Sequence, residues 1–303
     1  MKQDSVDRRP PVEAALVIHP VRARAGAILR TPEQRLEEAV GHFGRAAALD
    51  RDMSEAHNNL AGALFDQGRL DEALVRLPGG RFCYLPPAYA PEPGPSTRAS
   101  RDHAVFASFN NIAKIGPEVI KLWAQVLAAS PDSRLVLKWK SLEDAPTRQR
   151  LVDAFAAAGV DPARLDIRGR SSHAEMLAEY ADIDVCLDTF PFNGGLTTCE
   201  ALWMGVPVVT LPGETPASRQ GAAIMKAIGL IHLTADSPEG YVERATAIAG
   251  DPKRLADVRA ILRPKMAASP LCDGAAFARS LEAAYREMWR RHCSGEPAGD
   301  FVP

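Results

Sequence analysis

The chain has 303 residues, of which 46% are hydrophobic and 24% charged, so it can bury a packed core and does not have the composition of a disordered protein. Its formal net charge of −2 and the absence of any apolar run approaching the roughly 20 residues of a membrane span argue against nucleic acid or a membrane as partner. The five cysteines are far apart and form no CxxC pair, which indicates neither a disulfide framework nor a zinc site and fits a reducing cytoplasm.

A helical repeat follows an N-terminal arm. Residues 1–30 mix arginine, proline and small residues without periodicity, so we expect an irregular arm there. The hexamer RLEEAV at 35–40 recurs as RLDEAL at 69–74, a shift of 34 residues that is typical of tetratricopeptide helical hairpins. Because about three repeats are needed for a self-sufficient array, the segment 31–77 is predicted to be a short helical cap rather than a protein-binding groove.

The rest of the chain predicts a connector and an α/β domain. Residues 78–102 are rich in proline and glycine, which favours an extended connector, and residues 293–303 are expected to be a loose tail. Between them, residues 103–292 alternate short strands with helices, the pattern of a doubly wound parallel sheet of the Rossmann type. The predicted strands are 104–109, 134–139, 165–167, 184–188 and 206–210, and the predicted helices are 117–129, 146–158, 172–181, 197–204 and three more between 237 and 292.

The stretch 183–210 carries the chemistry. A tight turn there separates a buried strand from a short helix; its residues are Pro191, Asn193, Gly194 and Gly195. Such a turn opens at the carboxyl end of a parallel strand and leaves the first N–H groups of the helix free for an anion. Thr197 and Thr198 add hydroxyl donors, and Glu200 can accept from a sugar hydroxyl. A phosphorylated sugar or nucleotide is therefore expected, with a ligand-free glycine turn as the alternative, since glycine signatures are weak alone.

A positive charge is predicted at the same edge. Lys114 follows a strand and the polar pair Asn110 and Asn111, so it can bring an ammonium group to a loop at the carboxyl end of that strand. Asp184 and Asp188 flank the strand before the glycine turn, where we expect them to cap turns rather than act as a catalytic pair.

Residues 188–195 read DTFPFNGG, residues 197–210 read TTCEALWMGVPVVT, and residues 106–114 read FASFNNIAK. These runs resemble the donor-binding motif of the O-linked N-acetylglucosamine transferase and SPINDLY family, and the similarity covers roughly residues 77–291. The resemblance implies one lobe of a two-lobed GT-B glycosyltransferase that takes UDP-N-acetylglucosamine or a related nucleotide sugar. It also implies metal-independent transfer to serine or threonine of proteins, without a cofactor.

The resemblance also implies roles for single residues. Lys114 matches the lysine that contacts the donor diphosphate and helps to stabilise the leaving group, which makes it the catalytic candidate. Glu200 replaces a shorter aspartate that engages the ribose. The expected nucleotide-sugar contacts are Asn111, His173, Gly194, Gly195, Thr197, Thr198 and Glu200.

Two positions depart from the family pattern. Met176 stands where relatives usually have a histidine near the nucleotide; His173, one turn earlier, is either a substitute on the uracil side or an ordinary surface histidine. Leu196 replaces a threonine, so one hydroxyl is lost near the phosphates.

The largest departure is the position of LPGGRFCY at 77–84. In the family such a segment ends the first catalytic lobe, whereas here it follows the helical repeat almost directly, so we expect that lobe to be missing between about residues 75 and 78. Donor binding is therefore better supported than turnover. The alternatives are an inactive nucleotide-binding or protein-interaction module and epimerase-like chemistry, for which no acid/base carboxylates can be nominated.

Overall fold

A computed structural model describes residues 77, 80–94, 98–296 and 301–302. The predicted N-terminal arm and, except for Leu77, the predicted tetratricopeptide-like segment lie outside the described residues.

A five-stranded parallel sheet forms the centre of the described domain. Its strands are β1 (Val105–Ser108), β2 (Arg134–Lys138), β3 (Leu165–Arg168), β4 (Val185–Leu187) and β5 (Val208–Val209), in the order β3-β2-β1-β4-β5. Every pairing is parallel. The chain builds outward from β1 through β2 to β3 and then returns to the other side of β1 with β4, so β1 and β4 flank the switch point of the sheet. The predicted doubly wound parallel sheet is confirmed.

Eight α-helices accompany these strands within the described residues. They are α1 (Pro117–Ala128), α2 (Ala145–Ala157), α3 (His173–Glu179), α4 (Leu196–Trp203), α5 (Gln220–Ala227), α6 (Pro238–Ala249), α7 (Pro252–Ala267) and α8 (Gly274–Cys293). The sequence predicted all of them except α5. None of the helices in this part of the chain combines the length and the apolar character needed to cross a bilayer.

The core lies between the sheet and its helices. The strand residues Phe106, Leu135 and Val185 are completely buried, as is Trp123 of α1. Short strands buried in this way read as continuous apolar runs because helices cover the sheet. The loops after β1 and β4 therefore begin at well-packed strands, and they meet at one edge of the sheet.

Candidate functional site

A buried carboxylate organises the turn that follows β4. Asp188 is 1% exposed; its Oδ1 accepts hydrogen bonds from the backbone N–H groups of Thr189 (2.9 Å) and Gly194 (2.6 Å), and its Oδ2 accepts from the Thr210 hydroxyl (2.7 Å). Burial raises the pKa of Asp188 to about 6, although these hydrogen bonds and Lys114 act in the opposite direction. The hydrogen bonds confirm that Asp188 caps a turn.

Asp184 lies at the opposite end of β4. Its carboxylate accepts from the backbone N–H of Val105 and from the Arg101 guanidinium, each at 2.8 Å. Asp184 therefore ties β4 to the beginning of β1, and the two aspartates do not form a pair.

Glycine is required where the turn meets helix α4. A Cβ atom at Gly194 would lie 2.5 Å from Thr198 Oγ1 and 2.9 Å from Thr197 Oγ1. A Cβ at Gly195 would lie 3.0 Å from Gln220 Oε1. Gly195 is the N-cap residue of α4. Because it has no side chain, it makes no capping hydrogen bond to the first N–H groups of the helix.

Lys114 reaches the same turn from the end of β1. Its Nζ donates to the backbone oxygen of Asn193 at 3.0 Å and to Asn110 Oδ1 at 3.3 Å. The ammonium group also lies 4.4 Å from the centre of the Phe192 ring. Burial lowers the pKa of Lys114, and the charge of Asp188 partly opposes this shift. Lys114 and the glycine turn are thus brought together, as the sequence predicted.

The two neighbouring asparagines have different surroundings. Asn111 is exposed, and its Oδ1 accepts from the backbone N–H of Ala113 at 3.0 Å, which caps its own turn. Asn110 is only 6% exposed, and its Oδ1 accepts from both Lys114 Nζ and the Thr197 hydroxyl. The contacts of Asn110 were not predicted, because two neighbouring polar residues in one loop give no sign of which side chain points inward.

A second polar cluster joins α3, α4 and the connector. His173 Nε2 lies 2.7 Å from Glu200 Oε1, and His173 Nδ1 lies 2.7 Å from the hydroxyl of Tyr89. Glu200 is 3% exposed, and burial raises its pKa while His173 lowers it. His173 and Tyr89 are both exposed, so this cluster joins two surface side chains to one buried carboxylate. Tyr89 was not predicted, since nothing distinguishes it within a proline-rich connector.

The first cluster is rich in donors and suits a polyanion. The Lys114 ammonium, the hydroxyls of Thr197 and Thr198 and the start of α4 converge at the edge where β1 and β4 end. Charge-assisted donors and a helix N-terminus are the groups that bind phosphate oxygens in proteins. Within the described residues there is no group of three or more His, Cys, Asp or Glu side chains placed to hold a metal ion.

Fold and site together define a Rossmann-like lobe with a donor-rich glycine turn at its switch point. The family model for glycosyl transferase family 41 matches residues 97–281, more than half of the chain, and the chain belongs to this family. A tetratricopeptide repeat model matches residues 33–78. The resemblance stated from the sequence is confirmed.

Individual relatives agree with this assignment. The probable UDP-N-acetylglucosamine–peptide N-acetylglucosaminyltransferase SPINDLY of Solanum lycopersicum is 44% identical over 230 residues, which are 74% of this chain and 24% of that protein. The UDP-N-acetylglucosamine–peptide N-acetylglucosaminyltransferase of Caenorhabditis elegans is 32% identical over 197 residues, 65% of this chain and 17% of that protein.

A solved structure shows the same lobe. A mutant of the Thermobaculum terrenum O-GlcNAc transferase is 39% identical and superimposes with a TM-score of 0.68, covering 73% of this chain and 42% of that one. This chain spans about a quarter of the length of the SPINDLY relatives that it matches.

Proposed function

We propose that the chain binds the diphosphate of a nucleotide sugar at the carboxyl edge of its sheet and is the donor-binding lobe of a family 41 glycosyltransferase. The observation that carries the proposal is the 3.0 Å contact between Lys114 Nζ and the backbone oxygen of Asn193. This contact joins a cation from one βα unit to the glycine turn of another, so both can meet the same anion.

The phosphate-binding roles follow from the donors. Lys114 supplies a positive charge that offsets the negative charge growing on a departing nucleoside diphosphate. Gly194 and Gly195 let a phosphate approach the main chain, and the Thr198 hydroxyl donates to its oxygens. Thr197 lies beside the phosphate at the helix start, and its hydroxyl hydrogen goes to Asn110. Chemistry of this kind needs no metal ion, because the donors themselves meet the charge.

The nucleoside end of the ligand is assigned to the second cluster. Glu200 uses Oε1 for His173, while its Oε2 has no hydrogen-bond partner among the described residues and can accept from a ribose hydroxyl. His173 holds that carboxylate in place and lies at the rim, where it can meet the base. Asn111 is assigned an exposed polar contact near the phosphates.

The donor and acceptor classes come from the relatives. Their names give UDP-N-acetylglucosamine as donor and a peptide as acceptor, and we assign the same classes to this chain, with transfer to serine or threonine. Its five described cysteines are all free, which supports a reducing cytoplasm. A nucleotide-binding module without transferase activity is the second candidate, since the helical repeat leads almost directly into residues 77–84.

Calorimetric titration with UDP tests the proposal. The unaltered chain should bind UDP, and Lys114→Ala should weaken binding by about 1.5 to 3 kcal/mol because a charge-assisted contact is lost. Lys121→Ala, which removes an exposed lysine on α1, is the matched control and should bind as the unaltered chain does. Absence of heat and of any thermal shift at millimolar UDP would refute the proposal, as would equal losses in the two variants.

A further inference from the structure

Asn110 accepts hydrogen bonds from two of the groups that the proposed function assigns to the diphosphate. Its Oδ1 lies 3.3 Å from Lys114 Nζ and 3.1 Å from Thr197 Oγ1. Its Nδ2 is 3.4 Å from Ser108 Oγ, and the residue is 6% exposed. One buried amide therefore bridges the loop after β1 and the start of α4.

The direction of the Lys114 ammonium is set by its acceptors. A protonated lysine carries three N–H bonds. Asn110 Oδ1 and the backbone oxygen of Asn193 accept two of them, which leaves the third for an anion. The Asn193 carbonyl is itself fixed, because the side chain of Asn193 is fully buried and donates to the backbone oxygens of Thr189 and Leu211.

We propose that Asn110 is a positioning residue, which ties the Lys114 ammonium to the first turn of α4 through the Thr197 hydroxyl, so that the ammonium and the N–H groups at the start of that helix meet one diphosphate. The proposal rests on the proposed function and adds a residue to it. An amide oxygen suits this task because it accepts from both donors without placing a negative charge beside the phosphates. A carboxylate at the same place would hold the lysine more strongly and repel the ligand.

A double-mutant cycle with UDP as the ligand tests the coupling. Asn110→Ala should lower UDP affinity about tenfold, as expected when a charged group loses a buried acceptor that orients it. In a protein in which methionine already replaces Lys114, adding Asn110→Ala should lower UDP affinity by clearly less than tenfold, because the ammonium group that Asn110 positions is absent. Gln149→Ala removes an amide that bonds only to Asp153 on its own helix, and it should leave the affinity unchanged.

A spectroscopic measurement separates positioning from a merely structural role. In protein labelled with 13C at the lysine ε-carbons, an NMR titration reports the pKa of the Lys114 amine. Asn110→Ala removes an acceptor of the ammonium and should lower this pKa, whereas Asn110→Asp adds a negative charge at the same place and should raise it. A packing role alone predicts no such opposite shifts.

The outcomes distinguish this proposal from the one on which it rests. If the unaltered chain binds UDP and Asn110→Ala binds it equally well, the positioning role is wrong and the proposed function stands. If the unaltered chain does not bind UDP, both the positioning role and the proposed function are wrong. Asp has nearly the same shape as Asn, so the Asn110→Asp variant can be tested even if the alanine variant fails to fold. An unchanged Lys114 pKa in the Asn110→Asp variant overturns the proposal.

Discussion

Asp188 and Glu200 are buried carboxylates with different neighbours, and the difference separates a structural role from a binding role. Asp188 satisfies both oxygens inside the protein, with two backbone N–H groups and the Thr210 hydroxyl. Glu200 uses one oxygen for His173. Burial raises the pKa of each. Asp188 is therefore committed to the shape of the turn, whereas Glu200 keeps one oxygen for the ribose hydroxyl in the proposed function.

Replacing Asp188 with asparagine should change how stability depends on pH. Because burial raises the pKa of Asp188 to about 6 from its ordinary value of 3.8, the folded state binds this proton more tightly than the unfolded state. Asp188 thus contributes stability that is fully present below about pH 4 and is lost as the pH rises through about 6.

Asparagine does not titrate, so the stability of the Asp188→Asn variant should not fall in this way as the pH rises. The free energy of unfolding of the unaltered chain, relative to the variant, should fall by on the order of 1 to 3 kcal/mol between about pH 4 and 6.5. Urea denaturation of both proteins across this range measures it. Parallel pH profiles would contradict the raised pKa.

The structure brings most of the predicted site residues together, but the sequence did not indicate their contacts. Lys114, Thr197, Glu200 and His173 were all selected, because strand ends and helix starts can be located from patterns. Side-chain direction within a loop cannot be predicted in this way, and for that reason the sequence gave no sign that Asn110 contacts Lys114 and Thr197. The hydrogen bond between His173 and Glu200 joins two helices, and no spacing within the sequence predicts it.

At the scale of elements, helix starts were predicted well where a side chain caps them. Ser172 and Glu175 have capping-box spacing in the sequence, and both reciprocal hydrogen bonds are present at the start of α3. Helix α5 was missed. Its first turn contains Gly221, where a Cβ atom would collide with Thr210 and Asp188. Close packing therefore requires glycine at this position, and glycine in a sequence argues against a helix.

Removing the cap of α3 should destabilise the domain. Ser172→Ala removes the hydroxyl that accepts from the Glu175 N–H, which should cost about 1 kcal/mol of unfolding free energy. Ser130→Ala is the control, because its hydroxyl has no partner among the described residues, and its effect should be within about 0.5 kcal/mol of zero. Denaturant titration of both variants decides the matter; an equal loss in the two would show that the capping box contributes nothing.

At the scale of the whole molecule, the part of the chain that the structure describes leaves the candidate site open beside the glycine turn. Phe192 and Leu196 are large apolar residues beside the turn and are 49% and 62% exposed. Transfer needs the donor held against an acceptor hydroxyl away from water, and such alignment can supply roughly 7 to 11 kcal/mol of barrier lowering. Among the described residues, no second surface covers these two side chains.

We therefore expect no detectable glycosylation of serine or threonine peptides by the 303-residue chain alone. The assay uses labelled UDP-N-acetylglucosamine, with a complete family 41 enzyme at the same concentration as the positive control. Labelling by this chain that is abolished by Lys114→Ala would show that it builds a complete active site by itself.

The proposed function places a nucleotide diphosphate where the ends of β1 and β4 meet. A crystal structure of the chain grown with UDP tests it most directly. We expect the diphosphate within hydrogen-bonding distance of Lys114 Nζ and the first N–H groups of α4, with the ribose toward Glu200. Well-ordered UDP bound elsewhere, with this turn left vacant at saturating nucleotide, would contradict the account.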